Sequence, residues 1–556
     1  MNPFPAPRLL RLSASLALAV LIAVLALASC TSLAPHRTKL DDALNCNPIN
    51  PHVDPQTDDS FGRTYDAGCA DLIREVAPGI PGQSGPYTLH FAEFDDQGLL
   101  FPATPANGLA AEQTDRFLDY VRDRARKHGS EEGHRQTVVV FVHGWKHGAA
   151  SEDSNVRWFR AMLAKLADVE THSSEIVGLY AGWRGDATLL PDLFKNATFW
   201  TRKTTAEQVA EGQVRELLSR LRSIQDINNE TWNGEVERSR RTPQSIDDGY
   251  DPGCRKSMRL VIIGHSFGGL IVYNALSQAL VRDIADLHER ILDAEARNAE
   301  NGGAPARRID PVLVREGDLI LTINPADQAA RFAPLWRAAR AAQPHSYHAP
   351  VFVSITSADD WATRYAFPVA RFFNTLSNRY PATADTERDA ATQTLGQDQE
   401  YVDYTLNTLS NLKQDKQLAG AKSIEADATC EALRNDPDFS ARYTTEIRRL
   451  NGLEQALRAE PDANCLASPP QAGCKSAATA AGVAPFPRQF CIAGAADTAI
   501  ALLPRNADVN LDSPIWNVYT SHPVLSSHSD LLNPILIDFL RQLYEEGTRS
   551  QLQRIR

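Results

Sequence analysis

Leu260-Val261-Ile262-Ile263-Gly264-His265-Ser266-Phe267-Gly268-Gly269-Leu270 is the stretch on which the fold turns. Four apolar, mostly β-branched residues read as a buried strand. Leu270 to Leu280 is apolar enough to read as a helix. Between them Gly264-His265-Ser266-Phe267-Gly268 leaves no room for a loop, so the chain must reverse on the serine itself. A strand, a G-x-S-x-G turn and a helix in that order form a nucleophile elbow. Gly264 and Gly268 are required because a Cβ at either would clash where helix and strand approach. Such a turn strains the serine and lifts its Oγ above the sheet, with the helix N-terminus aimed at it. The same residues also suit a glycine-rich strand-to-helix turn without chemistry. A phosphate-binding loop fits poorly, because no Lys follows the glycines.

Outward from this turn, short apolar runs alternate with helical patterns. The runs are Thr137–Val142, Ile176–Tyr180, Leu319–Ile323, Val351–Ile355 and Ile515–Tyr519. They are continuous rather than alternating, as in parallel strands covered on both faces. Ser154 to Ala167 and Gln113 to Lys127 carry helical spacing, and Ala285 to Arg308 extends a helix toward a Gly-Gly loop. Strand–helix alternation of this kind predicts an α/β fold with a mostly parallel, doubly wound sheet. Order is expected to begin at Tyr87-Thr88-Leu89-His90-Phe91. A last helix is expected over Asn533 to Tyr544.

Val140-Phe141-Val142-His143-Gly144-Trp145 is a strand that ends in His-Gly. Together with the serine turn, it makes residues 87–380 and 510–545 resemble the α/β-hydrolase superfamily. The resemblance implies an α/β-hydrolase fold and a serine hydrolase of carboxylic esters, esterase- or lipase-like, acting through an acyl-enzyme on Ser266. It implies an oxyanion hole formed by the backbone amides of Trp145 and Phe267, with the imidazole of His143 structural. The triad order of this superfamily is Ser, acid, His. By that resemblance the acid is Asp360, in the turn after Val351–Ile355, with Asp359 and Asp327 as alternatives. The base is His528, ahead of the final helix, with His522 as the alternative. Trp145 and Phe267 also line a candidate acyl pocket. Trp183 and Arg184, in Tyr180 to Asp186, read either as substrate contacts or as packing with a local ion pair. Other acyl chemistry on the same triad (thioesterase, amidase, peptidase or acyltransferase) stays open, as does a catalytically silent envelope lipoprotein.

Arg8 and Arg11 precede an apolar run from Leu12 to Ala28, which leads into Leu27-Ala28-Ser29-Cys30. The tetrad resembles a bacterial lipobox, which implies a signal peptide over 1–29 and acylation of Cys30. A plain signal peptide or an uncleaved membrane helix are the other readings. Thr31 after the cysteine points, by the same resemblance, to the outer membrane facing the periplasm. Of eight cysteines, the seven beyond Cys30 suit an oxidising compartment. Cys46–Cys69, Cys465–Cys474 and Cys430–Cys491 are the candidate disulfides, leaving Cys254 single.

Residues 30–80 read as a polar tether, 81–556 as the main domain, and 380–510 within it as a helical or irregular insertion or lid. The net charge of −12 argues against nucleic acid as a partner and against broad adhesion to an anionic surface. The expected partners are a small-molecule or lipid ester and a membrane reached through the lipid anchor. No His/Cys cluster shows zinc spacing, so no metal or cofactor is expected.

Overall fold

The computed structural model describes residues 34–40, 69–78, 86–129, 135–169, 174–185, 199–241, 258–300, 318–342, 350–375, 385–408, 411–412, 488–491, 499–505, 509, 513–531, 533–540 and 542–543. The signal segment, Cys30 and residues 413–487 lie outside them. The strands are β1 (Arg74–Ala77), β2 (Tyr87–Glu93), β3 (Arg135–Val142), β4 (Ser174–Gly182), β5 (Met258–His265), β6 (Leu319–Ile323), β7 (Phe352–Ser357), β8 (Tyr404–Thr408), β9 (Arg488–Cys491), β10 (Ala499–Pro504) and β11 (Ile515–Thr520). They form one sheet in the order β1-β2-β4-β3-β5-β6-β7-β11-β8-β10-β9. From β2 to β8 every neighbour is parallel. β1, β9 and β10 are antiparallel additions at the two edges.

The helices are α1 (Gln113–Gly129), α2 (Ser154–Val169), α3 (Phe199–Glu211), α4 (Gln213–Arg241), α5 (Phe267–Glu300), α6 (Ala329–Ala342), α7 (Phe367–Thr375) and α8 (Asp385–Thr392). A further helical segment covers 534–540. The central strands bury both faces because their residues are apolar on both. Val138, Val140 and Val142 face the layer that holds α1, α4 and α5. Val139 and Phe141 face the layer that holds α2 and residues 535–543. Helices therefore cover both faces, as the continuous apolar runs predict. The connection after β3 goes to one layer and that after β5 to the other. Their carboxyl ends lie side by side, which opens the crevice where open α/β sheets bind ligands. Among the described residues no helix is long and apolar enough to cross a membrane.

Two sequence readings need correction. The tether reading fails for the described parts of 30–80. Residues 34–40 pack on the domain, and β1 pairs with β2. Order therefore begins well before Tyr87. Arg37 is fully buried; its guanidinium lies 2.8 Å from Glu75 and 3.7 Å from the centroid of Phe91. Arg160 binds the same carboxylate at 2.7 Å. Glu93 accepts the backbone N–H groups of His36 at 3.0 Å and Arg37 at 2.7 Å. Paired charges made this segment look solvated in sequence. Cys69 is buried and disulfide-bonded; its expected partner, Cys46, lies outside the described residues, as do Cys254, Cys430, Cys465 and Cys474.

The second correction concerns 380–510. Its described parts are not only helical or irregular: β8 pairs with β11 and β10 with β8. Asn517 holds the junction by donating to the carbonyls of Tyr401 at 2.8 Å and Leu395 at 3.3 Å. β8 is short and partly polar, which hid it, whereas β10 carries an apolar run from Ala499 to Leu503 that was legible. Helices α3 and α4 lie outside the expected elements, although Val214, Leu217, Leu218, Leu221 and Ile224 recur at helical spacing; with Val209 and Ala210 they anchor the pair to the core.

Removing one partner of a buried ion cluster strands the others, at a cost of ~3–5 kcal/mol. Glu75→Ala is expected to lower the unfolding free energy by that amount in urea titrations. Glu112→Ala, at the exposed pair with Arg116, is expected to change it by less than ~1 kcal/mol.

Candidate active site

Ser266 closes β5 and opens α5 with φ of 55°. A Cβ on Gly264 would strike the carbonyl of Gly268, and one on Gly268 would strike that of Val142. The glycines thus permit helix, strand and neighbouring strand to cross at backbone distance. The strained residue is held from both sides. Its amide donates to Ile323 O at 3.0 Å, and its carbonyl accepts from Ala326 N at 3.1 Å. The sequence-expected serine therefore stands at the carboxyl end of the central strands.

The structure brings Ser266, His528 and Asp360 into one chain of hydrogen bonds. Ser266 Oγ lies 2.9 Å from His528 Nε2. His528 Nδ1 lies 2.8 Å from Asp360 Oδ2. An ionised carboxylate only accepts, so Nδ1 carries the proton and Nε2 is free to accept from the serine. Asp360 is fully buried. Burial alone would raise its carboxyl, but the hydrogen bond and charge of His528, with the hydroxyl and amide of Thr363, outweigh it and hold the group below its ordinary value. Thr363 Oγ1 donates to Asp360 Oδ2 at 2.6 Å, and the Ala362 amide to Oδ1 at 2.8 Å.

The alternative candidates stand elsewhere. Asp359 accepts the amide of His522 at 2.8 Å, and His522 Nδ1 meets Ser526 Oγ at 3.0 Å. Asp327 faces Arg331 at 3.5 Å and caps the Gln328 amide at 2.9 Å.

Gly144, after β3, approaches so closely that a Cβ there would lie 2.8 Å from Ser266 Cβ. The Trp145 and Phe267 amides follow on the two chains that meet here. Among the described residues neither donates to an acceptor. The ring of Phe267 packs 6.2 Å from Trp145 and 5.2 Å from Phe199, in an aromatic wall beside the serine. His143 Nε2 accepts the amide of Trp183 at 2.9 Å, so its Nδ1–H donates to Gly144 O at 2.8 Å. The indole of Trp183 returns a bond to His143 O at 2.8 Å. His143 is thus a buried strut. Burial lowers its pKa to about 4. Trp183 is packing, and Arg184 lies 4.9 Å from the ring centroid of Phe101; Asp186 is outside the described residues.

Sequence reasoning missed the residues that hold His528 in place. His265 Nε2–H donates to His528 O at 2.8 Å. Asn324 Nδ2 donates to the same carbonyl at 3.0 Å and to Ser527 O at 3.1 Å. Its Oδ1 accepts from Ser357 N at 2.9 Å, which links the base loop to the strand that presents Asp360. His265 was visible inside the motif, but nothing in the sequence marks Asn324.

No protein-family model matches this chain, and no curated protein matches it in sequence.

The lowered pKa of His143 fixes a sign. Folded chains keep it neutral down to about pH 4, whereas the unfolded chain takes a proton near 6.5. Stability from this group is therefore present above pH 6.5 and is lost as pH falls toward 4. His143→Gln should remove one such proton. Between pH 6 and 4.5 its unfolding free energy should fall by ~1.4 kcal/mol per pH unit less than that of the parent chain. Parallel slopes in urea titrations would refute the assignment.

Proposed function

We propose that the protein is a serine hydrolase of the α/β-hydrolase class that cleaves carboxylic esters through an acyl-enzyme on Ser266. The observation that carries this reading is the unbroken Ser266–His528–Asp360 chain at 2.9 and 2.8 Å. Support also comes from the serine's position on a left-handed turn between a central strand and a helix, and from the order Ser, Asp, His along the chain.

In the reaction, Ser266 Oγ attacks the acyl carbon while its proton passes to His528 Nε2. The carbonyl electron pair moves onto oxygen, which the Trp145 and Phe267 amides face as donors. Preorganised donors of this kind lower a barrier by roughly 3 kcal/mol each. The tetrahedral species collapses, the ester C–O bond breaks, and the leaving alkoxide takes the proton from Nε2. Water then repeats the sequence, giving its proton to Nε2, and returns the free serine and the carboxylic acid. Asp360 stays ionised throughout and holds the imidazole tautomer.

A fluorophosphonate probe is expected to label the parent chain and to leave Ser266→Ala unlabelled. Turnover of a soluble short-chain ester should fall at least ~10⁴-fold in Ser266→Ala and about 10⁴-fold in Asp360→Asn. Asp359→Asn should stay within a few-fold. Equal labelling of parent and Ser266→Ala would remove the nucleophile.

A further inference from the structure

Two features at the carboxyl edge of the sheet are left without a role by the triad. The first is where the amino-terminal segment docks. Glu93 and Gly182, the last residues of β2 and β4, receive residues 36–37 and the loop after β3. Glu93 holds the amides of His36 and Arg37. Arg37 Nε donates to Ala149 O at 2.8 Å. A Cβ at Gly148 would lie 3.5 Å from His36 Nε2. Gly148 is three residues from Trp145, a proposed oxyanion donor. The described chain thus enters the domain on the rim of the site. Cys30 is only four residues before Ala34, and four extended residues reach at most ~14 Å.

The second feature is an exposed apolar stripe that begins directly after the triad acid. Trp361, Tyr365 and Val369 are 68%, 53% and 60% exposed. They recur every fourth residue through the π-helical turn Ala362–Ala366 and into α7, which sets them along one side. Phe367, by contrast, is buried and meets Phe199 at 6.0 Å, and Phe199 meets Phe267 beside the nucleophile. The helix therefore has an inner side on the aromatic wall of the site and an outer apolar side in the open. Arg364 lies 5.4 Å from the ring centroid of Tyr365. A Trp and a Tyr backed by an Arg are the side chains that settle at a bilayer interface.

β2 and β7 are five strand spacings apart, roughly 24 Å, and both features sit at carboxyl ends of parallel strands. A chain acylated at Cys30 has too short a tether to turn that edge away from its own membrane. The net charge of −12 gives no general electrostatic adhesion, so the contact is apolar and local.

We propose that the mouth of the site faces the bilayer that holds acylated Cys30, that Trp361, Tyr365 and Val369 sit in its interface, and that the ester cleaved belongs to a lipid of that same bilayer. This rests on the hydrolase and lipid-anchor readings above.

The test uses the mature acylated chain reconstituted in phosphatidylethanolamine–phosphatidylglycerol vesicles. Brominated acyl chains should quench a share of the tryptophan emission that Trp361→Phe lacks. A phospholipid carrying a fluorogenic acyl ester should be hydrolysed at least tenfold faster in the protein's own vesicles than in separate ones. Identical quenching of parent and Trp361→Phe overturns the docking. So does a parent chain that is dimeric where Trp361→Phe is monomeric, because a second copy then covers the stripe. Membrane retention unchanged in Cys30→Ser overturns the anchor. Equal hydrolysis in both vesicle populations, or none while fluorophosphonate still labels Ser266, overturns the lipid substrate and leaves the hydrolase reading standing. Absent labelling with quenching intact overturns the hydrolase reading and leaves the docking.

Discussion

A left-handed backbone at a residue with a Cβ is unfavourable by about 1–2 kcal/mol, and Ser266 holds it at φ of 55° only because its surroundings allow nothing else. Gly264 and Gly268 let β5, α5 and β3 cross with backbone touching backbone. The end of β6 holds the serine's amide through Ile323, and Ala326, just past it, holds the carbonyl. Those contacts need β3, β5 and β6 in one register, and the register is set by apolar residues buried on both faces. A one-residue slip would move the serine away from Gly144 and the carbonyl of Ile323 together. The sheet core thus fixes the angle of one side chain.

The partner imidazole comes from a loop, so its order has to be imposed from outside. Loops that carry function are ordinarily the mobile part of a fold. Here the loop backbone is pinned at several points. His265 and Asn324 hold the carbonyl of His528. Ser357 Oγ donates to Leu525 O at 2.6 Å. The indole of Trp158 donates to Leu531 O, and Asp530 receives the amide of Ser526 at 2.8 Å. Burial, with the nearby charge of His528, holds His265 well below its ordinary pKa. It therefore stays neutral as a donor, and adds no positive charge beside the imidazole that the proposed mechanism makes cationic.

What was legible in the sequence follows from how local each constraint is. The strands around Ser266 were legible because burial on both faces writes a continuous apolar run. The serine was legible because a strained turn dictates its glycines. Asp360 and Asp359 were harder to separate. They are adjacent at the end of a strand, and only the third dimension shows that one turns to His528 while the other takes the amide of His522. His522 and His528 pose the same problem across six positions. The strands β1 and β8 were not legible as parts of the sheet. Their buried polar residues are satisfied at long range, Glu75 by Arg37 and Arg160 and Asn407 by Ser521, and leave no periodic trace. Asn324 belongs to the same class, since its value lies entirely in bonds to residues about 30 and 200 positions away.

The buried charges around Arg37 bear on how the amino-terminal segment is held. A cluster of Arg37, Arg160, Glu75 and Glu93 adds less net stability than apolar packing of equal volume, because four groups lose their hydration. Such a cluster does specify a single arrangement, since any shift of the segment leaves a charge unpaired. Arg37 is bound at its amide, its Nε and its Nη1 at once, with its carbonyl accepting from Gln113. Residues 36–37 therefore cannot slide along the sheet or peel away one bond at a time. A segment that only joined an anchor to a domain would need no such grip. Under the anchoring proposed above, that grip sets which edge of the domain lies next to the membrane, and the edge is the one that presents Ser266.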